Sequence, residues 1–303
     1  MASWIHGSAT ADIPWIKENV ELKHQSLKRF WRKKNAVIGT TIVLLVCFVA
    51  VFAPLLSPYH YAHGDLNTAL LGIGEDSRFL LGTDHCGRDM LSRLLFGTRI
   101  SLLVGIIAQL ANTVIGGTLG ILAGFYGRVC DDVIMFVTNV TLSIPVLIFA
   151  LALMALLGPG LHNLFIALGI TNWCGTCRLA RSKALSVKEE NYVEAARAIG
   201  CSNLRILRKH ILPNSIMPII VVGTLGIGDA ILIAASLGFL GLGAQPPLPE
   251  WGTMLSVGRN YIYVAPWLSI LPGVAILITV LGFNLLGDGL RDLMDPHTKK
   301  LAK

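Results

Sequence analysis

Long apolar runs alternate with short polar ones along nearly the whole chain. Six stretches are apolar enough, or nearly so, to cross a bilayer: 36–57, 100–126, 133–157, 161–177, 216–242 and 266–286. A hydrocarbon core of about 30 Å needs roughly 20 apolar residues at 1.5 Å each. Five of the six contain no Asp, Glu, Lys or Arg, and the other holds one, Asp229. The stretch 161–177 is the shortest and carries Asn163 and Asn172. The pattern predicts an all-α membrane protein with six transmembrane helices. It divides the chain into an N-terminal tail (1–35), a first transmembrane helix (36–57), an outer segment (58–99), a five-helix core (100–287) containing a charged loop (188–213), and a C-terminal tail (288–303). The first run is too long for a signal-peptide core and lacks a small-residue cleavage site, so it reads as an uncleaved span.

Composition agrees. The chain is 53% hydrophobic and 14% charged, with a mean hydropathy of +0.65. A soluble domain carries about 25% charged residues. The net charge of +7 has a topological cause rather than a nucleic-acid one. Six crossings put both termini on one side, and 20 of the 25 Lys+Arg then fall on that side. The positive-inside rule makes it cytoplasmic. The expectation is a multi-pass membrane protein with both termini and residues 178–214 inside. The six cysteines scatter over spans and both faces, so no disulfide framework is implied.

Three further patterns bear on packing. Gly116, Gly120 and Gly124 recur every four residues, on one helix face, where a neighbouring backbone can approach. Pro145 is placed to kink the span around it. Trp251, Tyr261, Tyr263 and Trp267 suggest an interfacial aromatic belt.

Between the fourth and fifth runs lies NYVEAARAIGCSNLRILRKHILPN (191–214). Residues 190–199 read as a helix, Gly200 as a bend that other residues resist, Ser202 as the cap of a second helix over 203–210, and Pro213 as a first-turn residue of the next span. This segment resembles the EAA loop of ABC-importer permeases: Glu194-Ala195-Ala196, Gly200 and Leu212-Pro213 stand at that spacing. It departs at His210, where the family usually has an apolar residue. The segments LGTDHCGRDMLSRLLFGTRISL (81–102), LGFLGLGAQPPLPEWGTML (237–255) and FNLLGDGLRDLMDP (283–296) resemble the peptide and nickel branch, C-type partner. The resemblance covers residue 30 to the end.

It implies a type I permease fold in a bacterial or archaeal inner membrane. It also implies a B-type permease partner forming a heterodimer, two cytoplasmic ATPase subunits and an extracytoplasmic solute-binding protein. Glu194, Ala195, Ala196, Arg197, Gly200, Leu212 and Pro213 would then couple the spans to the ATPase. No catalytic residue and no cofactor is expected in this chain. A Walker A loop needs a Gly-Lys pair that the sequence lacks, so ATP and Mg would belong to the partners. The implied cargo is a di- or oligopeptide, with nickel or a metal chelate as the alternative.

Other residues invite separate readings. Asp229 costs about 2.5–3.5 kcal/mol mid-span, and should face a bundle interior or a water-filled path. It is read as a translocation-path carboxylate or as a packing hydrogen bond. It would be the relay if the protein were a proton-coupled secondary transporter. Asp84, Arg88, Asp89 and Arg93 suggest binding-protein docking, an outer gate, or a surface helix of locally paired charges. His60, His63 and His85 give a weak metal signal, and no metal site is expected. Cys174 and Cys177 imitate a redox motif, but lie near the end of a membrane helix.

Overall fold

The computed structural model describes residues 30–294, so most of the N-terminal tail and residues 295–303 of the C-terminal tail lie outside it. The described chain is helical. Its extended pairing is limited to two isolated bridges, Gly64 with Arg88 and Thr83 with Asp89. The helices are α1 (Lys34–Leu56), α2 (Met90–Tyr126), α3 (Arg128–Leu142), α4 (Val146–Leu157), α5 (Leu161–Thr171), α6 (Cys174–Lys188), α7 (Asn191–Ala198), α8 (Asn203–Ile206), α9 (Leu212–Phe239), α10 (Trp251–Arg259) and α11 (Trp267–Met294). A helix satisfies its own backbone polar groups, which is why apolar runs of this length adopt it in lipid.

Four runs are long and apolar enough to cross a membrane: α1, α2, the run Asn203–Phe239, and α11 up to Leu293. The bent pair α3–α4 makes a fifth if it is taken as one span. Pro145 does more than kink this stretch. It sits at the N-cap of α4, and the two helix axes meet at 88°. The expected fourth span is also interrupted. α5 ends at Thr171, and α6 restarts at Cys174 and carries the chain toward the charged loop. At the break the Asn172 amide donates to Asn112 Oδ1 at 3.3 Å, so a side chain of α2 takes over part of the lost helical bonding. Cys174 and Cys177 therefore open a helix rather than close one. Helix α2 starts at Met90, well before the apolar run, because Asp89 caps it: its carboxylate accepts from the Ser92 amide at 2.7 Å.

Packing sorts the molecule into two ends. At one end the chain leaving α1 meets the start of α2, where the Tyr59 amide donates to Ser92 Oγ at 3.1 Å. At the other end the start of α1 lies beside the end of α11, and Lys33 Nζ is 2.5 Å from Asp292 Oδ2. The end of α2 reaches this second end too, where Ile121 and Phe125 share a core with Val193, Ala196, Ile206 and Ile211 of the charged loop. In between, α2, α4, α5 and α9 bury Val104, Ala108, Met154, Leu164 and Leu237 against one another.

The glycine stripe does what its spacing suggests. Gly116, Gly120 and Gly124 lie directly on the backbone of α6, facing the carbonyls of Trp173, Cys177 and Arg181 in turn. Only glycine permits this approach. The aromatic belt needs correction. Trp251 is 1% exposed, sits in a core with Met90, Met254 and Leu268, and donates its indole N–H to the Leu94 carbonyl at 3.4 Å. Tyr263, by contrast, is fully displayed.

Candidate functional site

The charged loop folds as an elbow. α7 runs from Asn191 to Ala198 and ends in a Schellman turn. The Gly200 amide donates to the Arg197 carbonyl at 2.9 Å, and the Cys201 amide to the Ala196 carbonyl at 3.0 Å. Gly200 takes φ +80°, the left-handed conformation in which a Cβ is costly. Ser202 holds the expected cap position of α8 without a side-chain bond. The second helix is shorter than expected and passes into a π-helical turn, Leu207–Ile211, where the Leu212 amide reaches five residues back to the Leu207 carbonyl. Pro213 then stands in the first turn of α9. The elbow is thus continuous with a long membrane helix.

The residues expected to couple divide by face. Ala196 is buried and, with Val193, anchors α7 to the core formed by α2, α6 and α9. Glu194, Ala195, Arg197 and Gly200 are exposed, as are Leu212 and Pro213. Arg197 turns back, so that its guanidinium lies 5.9 Å from the Phe125 ring centroid. His210, the departure from the family pattern, packs its ring 5.7 Å from that of Tyr192. The sequence reading passed over the apolar residues that the elbow displays: Ile199 at 81% exposed, Leu204 at 52% and Tyr192 at 43%. Apolar side chains in a basic loop beside a glycine bend were the available signal.

A second element missed from sequence joins α3 to α6. Arg181 grips Asp131 with two parallel bonds of 2.5 Å, and Arg178 donates to Asn139 Oδ1 at 2.8 Å. Because α6 leads straight into α7, this fork ties the first half of the bent pair to the elbow. Arg181→Ala is expected to lower the stability of the purified chain by about 2 kcal/mol, read as a fall in thermal midpoint in detergent. Arg181→Lys should recover only part of it, since an ammonium cannot form the fork.

At the opposite end the structure corrects the reading of Asp84, Arg88, Asp89 and Arg93 as a paired surface. All four are buried, at 4%, 9%, 3% and 7% exposed. Asp84 Oδ2 accepts from Arg88 Nε at 2.7 Å and lies 3.3 Å from Arg93 Nε, while Oδ1 accepts from the Cys86 and Arg88 amides. Arg93 also donates to the carbonyls of Tyr61 and Pro247. Side chains so enclosed offer a binding protein little to touch. Alternating charge looked superficial because its burial depends on loops far away in sequence.

His85 stands next to this knot, stacked on Tyr261 with 5.6 Å between ring centroids. Burial pushes its imidazole below the usual histidine range. A cavity of about 160 Å³ opens here, lined by His85, Cys86, Arg88, Arg93 and Met254 among others. Asp84, His85 and Cys86 bring three potential ligand atoms within 4.8 Å of one another. The donor set does not suit a cation, because both oxygens of Asp84 are already engaged and two guanidiniums face the site. His60 and His63 are exposed and lie outside this group.

Asp229 is exposed on the outside of the bundle instead of facing its interior, and no other described residue pairs with its carboxylate. The expected internal packing bond is therefore not made among the described residues.

Comparison with known proteins matches these features. Residues 116–300 fit the family of binding-protein-dependent transport system inner membrane components, and residues 22–72 fit the N-terminal TM domain of oligopeptide transport permease C. The dipeptide transport system permease protein DppC of Alkalihalophilus pseudofirmus is 46% identical over 96% of this chain and 92% of its own. The glutathione transport system permease protein GsiD of Pectobacterium atrosepticum is 42% identical over 99% of this chain and 100% of its own. An inward-facing structure of the MetNI methionine ABC transporter aligns with a TM-score of 0.55 at 21% identity, covering 68% of this chain and 98% of that one, and so shares the fold. The chain belongs to the inner-membrane permeases of binding-protein-dependent transport systems, in their oligopeptide-permease C branch.

Proposed function

We propose that this permease pairs with a second, B-type permease, and that the two enclose a path for di- or oligopeptides. Two ATPase subunits drive the pair from the cytoplasm, and an extracytoplasmic binding protein delivers the cargo. ATP and Mg reside on the ATPases, and this chain performs no covalent chemistry. Both termini and the elbow face the cytoplasm. The relatives named for dipeptides and glutathione support a peptide cargo over nickel.

The observation that carries the mechanism is the elbow's two-sidedness. Val193 and Ala196 fasten α7 to the spans, while Ile199, Leu204 and Tyr192 remain exposed for a foreign surface. A push on that surface passes into α9 without a flexible joint, and into α2 and α3 through α6. Proteoliposomes holding the complete complex should take up a labelled dipeptide only with ATP and the binding protein, and a proton uncoupler should not matter. A thiol placed by Ile199→Cys should crosslink to an ATPase subunit. Uptake driven by a proton gradient without ATP would make the protein a secondary carrier and end this reading.

Gly200→Val is expected to cut uptake several-fold while membrane insertion stays normal. A Cβ there meets nothing within 4 Å, so the change acts chiefly through backbone strain, about 1–2 kcal/mol for an L-residue in this conformation. Uptake divided by the amount of inserted chain is the measurement.

A further inference from the structure

Asp229 lies about 15 Å from the Phe239 end of α9, well inside a span. It shares an outward stripe with Leu232, exposed at 50%, and Leu240, exposed at 52%. An ionised carboxylate on a lipid-facing surface is expensive, and residues of this kind line water-filled paths or meet partners. Nothing among the described residues neutralises it. The layer behind it is also polar for a membrane interior. Gln109 lies against Gly226 at 4% exposed, and its Oε1 has no donor. Asn284 Oδ1 stands 3.2 Å from the position a Cβ would take at Gly228.

Resting on the reading of the chain as half of a peptide path, we propose that Asp229 faces that path and receives the terminal ammonium of the passing peptide. The charges are complementary, and a peptide zwitterion carries this cation whatever its side chains. A single carboxylate without supporting donors among the described residues makes a weak, releasable contact, as passage requires.

The test uses the full complex in proteoliposomes with saturating binding protein. Uptake of an unblocked dipeptide is compared with uptake of the same dipeptide carrying an N-acetyl group. Asp229→Asn should lower uptake of the unblocked form about tenfold, the value of one charge-assisted bond, and leave the acetylated form within twofold. Asp229→Glu should retain most of the preference. The binding protein's own selectivity is common to all variants and divides out. A thiol introduced by Asp229→Cys should react with a membrane-impermeant cationic thiosulfonate and be shielded by peptide during turnover. The proposal is overturned by unchanged uptake in Asp229→Asn, by equal loss for both peptides, by failure of that variant to assemble, or by a thiol that never labels. Each of these leaves ATP-driven uptake by the unaltered complex intact. Loss of ATP dependence in the unaltered complex would instead remove the reading on which the proposal rests.

Discussion

Gly120→Ala is expected to cost about 3 kcal/mol, while Gly117→Ala, three residues away on the same helix, should stay within about 0.5 kcal/mol of the unaltered chain. The two glycines differ in sequence only in that Gly120 belongs to the four-residue stripe and Gly117 does not. A Cβ at Gly120 would overlap the Cys177 carbonyl and come within 2.7 Å of Ala180 Cβ and 3.0 Å of the Arg181 amide. Two of these three atoms are backbone, and the third is a Cβ, fixed to it. No rotamer relieves the clash, so α2 and α6 must separate, and the contacts at Gly116 and Gly124 loosen with them. A Cβ at Gly117 meets only Ile219, at 3.5 and 3.8 Å, which is ordinary contact. The measurement is the thermal midpoint of each purified variant in one detergent. Gly120→Leu should leave little folded chain in the membrane. Equal midpoints for the two alanine variants would show that α6 does not lie backbone to backbone on α2.

This pair shows what the sequence made legible. The spacing of Gly116, Gly120 and Gly124 identified a face, and the face is real, but its partner could not be read. Only the first turn of α6 fell inside the expected fourth span, which breaks at Asn172, and the rest fell in the expected cytoplasmic segment. Apolar runs marked the spans well because a lipid-exposed backbone has few options. Interruptions were less visible. Pro145 announced a disturbance and not its 88° size, which follows from how α4 packs on α5 and α9.

The elbow was the most legible site, since Gly200 and Pro213 punctuate it and local bonds shape it. Its display of Ile199 and Leu204 depends on which face of α7 is anchored, and that is decided by Phe125 and Ile211 elsewhere in the chain. The outward turn of Asp229 is of the same kind. Helical phase alone cannot tell an inner face from an outer one when nearly every neighbour is apolar.

Asp84→Ala is expected to be at least as damaging as any elbow variant, with a loss of about 3–5 kcal/mol. The substitution leaves Arg88 and Arg93 facing each other, 9% and 7% exposed, with no anion between them. It also orphans the Cys86 and Arg88 amides that Asp84 Oδ1 now receives. Arg93 holds the Tyr61 and Pro247 carbonyls, so its displacement should release the segment between α1 and α2 from the loop before α10. Asp84→Asn keeps an acceptor but loses the charge, and should fall between the two. Limited proteolysis of right-side-out and inverted vesicles reads the effect: new cleavage within residues 58–99, confined to the outer face. If Asp84→Ala instead resists protease like the unaltered chain and only weakens capture of the binding protein, the carboxylate serves as a docking contact, and the buried pairing described here is not what holds this end of the molecule together.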